Sequence, residues 1–105
     1  MNTKLNKETL QFLNTVDKER LTLGRYLKAI RLGEEWTKSA LAEMLGESRQ
    51  FICDIEHGRK YISPKKAASY AKKLEYPVKQ FVRLALDDLL TRDGLNFEVE
   101  LHSAA

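Results

Sequence analysis

Arg49 and Gln50 stand side by side after Ser48, and their side chains carry the donor and acceptor patterns that match base edges in the major groove of DNA. An arginine donates two hydrogen bonds to guanine O6 and N7, and a glutamine amide pairs with adenine N6 and N7. Such readout needs a narrow rod whose far side is anchored in a core. The run from Arg49 to His57 has that form: Ser48 is an N-cap residue, Ile52 and Ile55 face inward three residues apart, and Gly58 ends it. Arg49, Gln50, Cys53, Asp54 and His57 are then left facing outward. Asp54 lies one turn after Gln50 as an acid facing a polyanion, where its carboxylate accepts from cytosine N4, orients the Gln50 amide, or weakens binding. Lys38, Arg59 and Lys60, with the helix N-termini, supply the positive charge that holds phosphates and fixes register without specifying sequence.

The elements that position this rod follow from apolar spacing. Leu23, Leu27 and Ile30 recur at helical intervals and Gly33 follows, which predicts a helix over Thr22 to Leu32. Thr37 caps a second helix, Lys38 to Leu45, which buries Leu41, Ala42 and Leu45 and stops at Gly46. With the turn Gly46-Glu47-Ser48 and the run that follows, it forms a helix-turn-helix arrangement. Ala42 is small where the two helices must lie close, and Gly46 supplies a positive φ. Ser63 and Pro64 read as N-cap and first residue of a fourth helix, with Ala67, Tyr70, Ala71 and Leu74 inward and lysines 65, 66, 72 and 73 on a solvated face.

A fifth helix is expected from about Pro77 to Thr91. Its stripe of Val78, Phe81, Val82, Ala85 and Leu89, widened by Leu84, Leu86 and Leu90, exceeds what one intramolecular core needs. The surplus, Leu86 and Leu90 in particular, points to a dimer contact. After Gly94 the segment NFEVEL alternates, with Phe97, Val99 and Leu101 on one side and Glu98 and Glu100 on the other, which is strand periodicity. A lone strand is unstable, so this one is expected to pair with the same segment of a second copy. Near the N-terminus, Leu10, Leu13 and Val16 suggest a further short helix from about Lys7 to Lys18. The organisation expected is an N-terminal extension over 1–21, a DNA-binding domain over 22–92, and a C-terminal strand and tail over 93–105 that serves dimerisation.

A length of 105 residues suits one domain, and 43% hydrophobic with 31% charged residues is an ordinary globular composition. The charge is segregated: residues 49–83 carry nine Lys/Arg against three Asp/Glu, whereas residues 84–105 carry one against five. The basic block therefore begins within the rod itself. Cys53 is the single cysteine, which excludes an intramolecular disulfide and suits a reducing compartment. It reads as a small, half-buried filler, and Trp36 as a core residue. The absence of an apolar secretory segment or a membrane-length apolar run leads us to expect a cytoplasmic protein with no membrane contact. His57 and His102 are far apart, and there is no metal-ligand spacing, nucleophile motif or glycine-rich phosphate loop. No enzyme, metal or cofactor is expected.

From Trp36 to Gly58 the chain reads W-T-K-S-A-L-A-E-M-L-G-E-S-R-Q-F-I-C-D-I-E-H-G. Together with Leu23, Leu27, Ile30 and Arg31 upstream, the L-A-x-x-L-G-x-S-R of Leu41 to Arg49 and the I-x-x-I-E-x-G of Ile52 to Gly58 resemble the Xre family of phage-repressor and Cro-like regulators. The likeness covers about Leu23 to Val82. It implies an all-α, five-helix repressor-like fold and a homodimer on a pseudo-palindromic operator. It also implies base-reading positions at Arg49, Gln50 and Asp54, phosphate-contacting positions at Lys38 and Ser48, and an internal ion pair between Arg31 and Glu56. The link from Gly58 to Pro64 is longer than the family's common version. The resulting expectation is a sequence-specific transcriptional repressor whose partner is double-stranded DNA. Because several members of the family are antitoxins, the second reading is an antitoxin that contacts a toxin protein through residues 1–21 and 92–105. A third is an interaction module that binds protein and not DNA.

Overall fold

Thr22, Thr37, Ser48 and Ser63 each stand immediately before a helix, and each hydroxyl accepts a hydrogen bond from the backbone N–H three residues on, at 3.0–3.1 Å. The computed structural model describes residues 20–104. It contains α1 (Leu23–Gly33), α2 (Lys38–Leu45), α3 (Arg49–Glu56), α4 (Pro64–Leu74) and α5 (Val78–Arg92). The caps satisfy donors that a helix start leaves open, so the boundaries match the sequence expectation to within a residue. The expected N-terminal helix lies outside the described residues.

Helix ends divide into those announced by glycine and those that are not. Gly46 follows α2 at φ 71° and Gly58 follows α3 at φ 74°. Gly33, expected to terminate α1, remains inside it, and the left-handed residue is Glu35 at φ 62°. There the Trp36 N–H closes the helix end on the Arg31 carbonyl at 2.9 Å. Glu75 does the same for α4 at φ 61°, although a side chain in this conformation carries a steric cost of about 1–2 kcal/mol.

The core draws on every helix: Leu27 and Ile30 from α1, Leu41 and Leu45 from α2, Ile52 and Ile55 from α3, Tyr70 and Leu74 from α4, Phe81 and Leu84 from α5. Tyr26 of α1 meets Phe81 edge to face, with ring centroids 5.5 Å apart. The backbones of α1 and α3 come into tight contact at Gly24. Gly24 is buried there, and a methyl group on it would sit 2.0 Å from the Ile55 carbonyl oxygen. No contact in a folded protein is that short, so the helix spacing requires glycine.

α5 is rotated from the expected stripe. Phe81, Leu84, Ala85 and Asp88 are buried, while Val78, Val82 and Leu89 are half-buried. Asp88 draws the face round because its carboxylate accepts from the buried Leu23 N–H at 3.1 Å, serving the start of α1 from 65 residues away. Arg20 pairs with its other oxygen at 2.8 Å and with Asp87 at 2.7 Å. Burial pushes the Asp88 carboxyl up from its ordinary pKa, against the opposing pull of Arg20 and the Leu23 amide.

The C-terminal strand does not form among the described residues. A strand exists only through its ladder, and among the described residues no strand lies beside this segment to pair with it. The Leu95 N–H instead closes the helix end on Leu90 at 2.8 Å. The chain then doubles back, and Leu101 lines a groove with Pro77, Gln80 and Arg83 at the start of α5. Val99 and Leu101 are half-buried between exposed Glu98, Glu100 and His102, so the alternation survives as burial without a ladder. Phe97, expected on the inner side, is 67% exposed. Leu86 and Leu90 are half-buried.

Replacing Gly24 by alanine tests the α1–α3 contact. Alanine favours a helix by about 1 kcal/mol over glycine, so the local effect is stabilising. The clash is with backbone, which cannot swing aside, and a net loss of about 3 kcal/mol is expected in urea unfolding. A loss below about 1 kcal/mol would mean that the helices separate freely.

Candidate nucleic-acid interface

α3 is presented by a rigid turn. Gly46 takes the left-handed conformation, and the Glu47 N–H then reaches back to the Ala42 carbonyl at 2.9 Å, closing α2. The turn is braced from α4: the Glu47 carboxylate accepts from the Tyr70 hydroxyl and pairs with the Lys66 ammonium at 2.9 Å. Lys73 donates to the Leu45 carbonyl at 3.3 Å, which occupies an open acceptor at the end of α2. All four α4 lysines are exposed, as expected, and two of them, Lys66 and Lys73, also hold the turn. Burial, then the bond to Glu47, pushes the Tyr70 hydroxyl far above its ordinary pKa. Burial alone would raise the Glu47 carboxyl, but the bonds from Tyr70 and Lys66 prevail and hold it below the usual glutamate value.

The far end of α3 is tied to α1 by charge. Arg31 Nε donates to Glu56 Oε2 at 2.7 Å and Nη2 donates to Oε1 at 3.1 Å, a fork in which both bonds are charge-assisted. The Glu56 side chain is 1% exposed and that of Arg31 10%. A third arginine donor, Nη1, reaches the Trp36 carbonyl at 3.2 Å, so the α1–α2 connection joins the same network. Trp36 is half-buried against the core. Removing one member of so enclosed a pair leaves the other charge unsolvated, at a cost of about 3–5 kcal/mol.

On the outer face, Arg49 and Gln50 are exposed at the first turn of α3. The Ser48 hydroxyl accepts from the Phe51 N–H at 3.0 Å, which leaves its proton free to donate. Asp54 is already occupied: Oδ1 accepts from Gln50 Nε2 at 3.0 Å and from Arg59 Nε at 2.9 Å, and Lys60 Nζ lies 3.9 Å from Oδ2. Its carboxyl is held below the ordinary aspartate value by Arg59 first and then by Gln50. The acid on this face is therefore neutralised by its own neighbours.

Lysines also frame Phe51, whose ring is half-buried, with Lys60 Nζ 5.2 Å and Lys66 Nζ 4.9 Å from its centroid. Lys38, at the start of α2, places Nζ 3.9 Å from Cys53 Sγ, and Arg59 Nη2 lies 3.6 Å from the same sulfur. His57 contacts the Cys53 carbonyl at 2.8 Å. The structure thus brings Lys38 and the adjacent pair Arg59 and Lys60, about twenty residues apart in sequence, against α3 at Cys53 and Asp54. Sequence reasoning missed Gly24, Asp88 and the Glu47–Tyr70–Lys66 brace. Gly24 did leave a signal, as a poor helix former inside a helix, and Asp88 another, as an acid inside an apolar stripe; the brace spans 23 residues from Glu47 to Tyr70 and left none.

Among the described residues, no group of three or more His, Cys, Asp or Glu could hold a metal ion, and no helix is long and apolar enough to cross a membrane. A family model described as helix-turn-helix matches residues 27–81, from the middle of α1 to the start of α5. No curated protein and no solved structure matches the chain.

The Glu47 brace makes a pH prediction. With its folded pKa below the ordinary value of 4.5, Glu47 stabilises the fold above that pH, and the contribution is lost as pH falls through the folded value. Glu47→Gln lacks this titration, so the stability gap between wild type and variant should narrow between about pH 6 and about pH 3. Urea midpoints measure it, and a gap that stays constant across that range would refute the brace.

Proposed function

The chain belongs to the helix-turn-helix family of Xre-type DNA-binding regulators, and from that membership we propose that it is a sequence-specific repressor. A homodimer inserts α3 into the major groove at each half of a pseudo-palindromic operator. The observation that carries this reading is that Arg49 and Gln50 are fully outward on a helix whose opposite side, Ile52, Ile55 and Glu56, is buried. The exposed pair has no packing role, and its chemistry suits guanine and adenine edges.

Lys38, Ser48 and Lys60 serve the backbone in this reading. They flank the first turns of α2 and α3, where helix N-termini add N–H donors and positive potential for phosphate. Residues 22–92 form the DNA-binding domain, and the tail from 93 carries the dimer contact. Leu95 and Phe97 are 46% and 67% exposed, and Leu86, Leu90, Val99 and Leu101 are half-buried, which supports a second copy covering apolar surface of α5 and the tail. The antitoxin alternative gives the same apolar surface to a toxin protein, and a stoichiometric protein co-purifying with the chain would favour it.

Selection of bound sequences from random duplexes tests the assignment. Two half-sites about 34–36 Å apart, or a multiple, are expected. Arg49→Ala and Gln50→Ala should each lose about 1–3 kcal/mol of discrimination at one base position. Wild-type affinity should fall by orders of magnitude between about 50 and 200 mM salt. Unchanged discrimination in both variants would remove α3 as the reader.

Deleting residues 95–105 tests the dimer contact. Sedimentation at micromolar concentration should show the truncated chain as a monomer with weakened operator binding. A truncated chain that remains dimeric and binds as before would show that the tail contributes nothing to association.

A further inference from the structure

Arg59 was expected on a phosphate, yet it is turned back along α3. Gly58 takes φ +74°, which reverses the chain beyond the helix end. The Arg59 backbone N–H then donates to the Asp54 carbonyl at 2.8 Å while its side-chain Nε donates to the Asp54 carboxylate at 2.9 Å. Main chain and side chain of one residue thus both grip Asp54.

The oxygen that Arg59 holds, Oδ1, is the same one that accepts from Gln50 Nε2 at 3.0 Å. This matters because a glutamine amide has a broad, nearly two-fold terminal torsion and presents its oxygen or its nitrogen with similar ease. A carboxylate accepts only. Facing Asp54, the amide must therefore turn nitrogen inward, with Oε1 and the second N–H left for a base. A bidentate contact to adenine needs that oxygen and that N–H in fixed places.

We infer that Arg59 is a specificity-positioning residue: by clamping Asp54 it fixes the orientation of the Gln50 amide, and so sets which base edge that amide accepts. The inference rests on the reading of Gln50 as a base contact. Asp54 is the intermediary, fixed by Arg59 and further drawn by Lys60 at 3.9 Å from its second oxygen. Without Arg59, the Asp54 carboxylate can leave Gln50 and the amide can flip, which admits bases that present the reversed donor and acceptor pattern.

The test compares wild type with Arg59→Ala, Gln50→Ala and the double variant, using selected operator duplexes carrying each base at the position read by Gln50, over a range of salt. Arg59→Ala is expected to relax discrimination at that position by about five- to tenfold. It should leave other positions and the salt slope unchanged, and it should have no further effect on discrimination in the Gln50→Ala background. A phosphate clamp behaves otherwise: Arg59→Ala would weaken every duplex equally and reduce the salt slope by about one. That result overturns the inference, as does retained discrimination. If Gln50→Ala itself changes no base preference, the base-reading assignment has failed and the inference falls with it. A change with Gln50→Ala but none with Arg59→Ala removes the clamp alone. Because Arg59 is exposed and outside every helix, its truncation should leave the fold intact, which thermal unfolding verifies.

Discussion

The spacing between α1 and α3 leaves no room for a single additional carbon at Gly24, and the presentation of α3 depends on it. Contact at that point seats the last turn of α3, at Ile55 and Glu56, against the start of α1. The Arg31–Glu56 fork holds the last turn of α3 to the last turn of α1. One attachment is steric and short-ranged, and the other is charged and directional. Both attachments act on the last turn of α3, and the burial of Ile52 and Ile55 adds the packing that turns its inner side to the core. A rod that rolled would carry Arg49 and Gln50 away from the exposed positions they hold, on which the proposed base recognition rests.

Charge in this protein serves two purposes that the net value does not distinguish. Lys66 and Lys73 reinforce the turn between α2 and α3, and Arg59 reinforces Asp54. Lys38 and Lys60 lie beside α3 with weaker internal contacts, at 3.9 Å to a sulfur and 3.9 Å to a carboxylate oxygen. Exposed ion pairs of this kind contribute little to stability, because water screens them and long side chains lose freedom in making them. Their value lies in orientation. Glu47 and Asp54, acids of the turn and of α3, are each paired with cations, so neither presents an unshielded negative charge to a polyanion.

The far side of the domain follows a similar logic. Asp88 stabilises the start of α1 from the middle of α5, and Arg20 covers the carboxylate from before α1 begins. A buried acid costs desolvation energy, which explains the upward pull on its pKa, and its hydrogen bonds offset part of that cost. The arrangement joins the first and last described helices by a polar contact, where apolar packing alone would leave the Leu23 amide without a partner.

The residue order by itself determined the helix starts, because Thr22, Thr37, Ser48 and Ser63 act on amides only three residues away. It determined two helix ends through Gly46 and Gly58, and the inner faces of α1 to α4 through apolar spacing, since all of these are local effects. It also brought out Arg49 and Gln50 as an outward pair, because Ile52 and Ile55 leave them no other side. Tertiary structure alone decided the left-handed turns at Glu35 and Glu75, where neighbouring packing overrides a residue's own preference. It decided the rotation of α5 toward Asp88, whose partners lie 65 or more positions away, and the fate of the 95–104 segment, whose alternation specifies an inner side but not a neighbour to pair with. The orientation of Gln50 belongs to the same class: a short-range contact with Asp54 is visible in the order of residues, but which way the amide turns depends on a chain reversal at Gly58 that carries Arg59 back onto the helix.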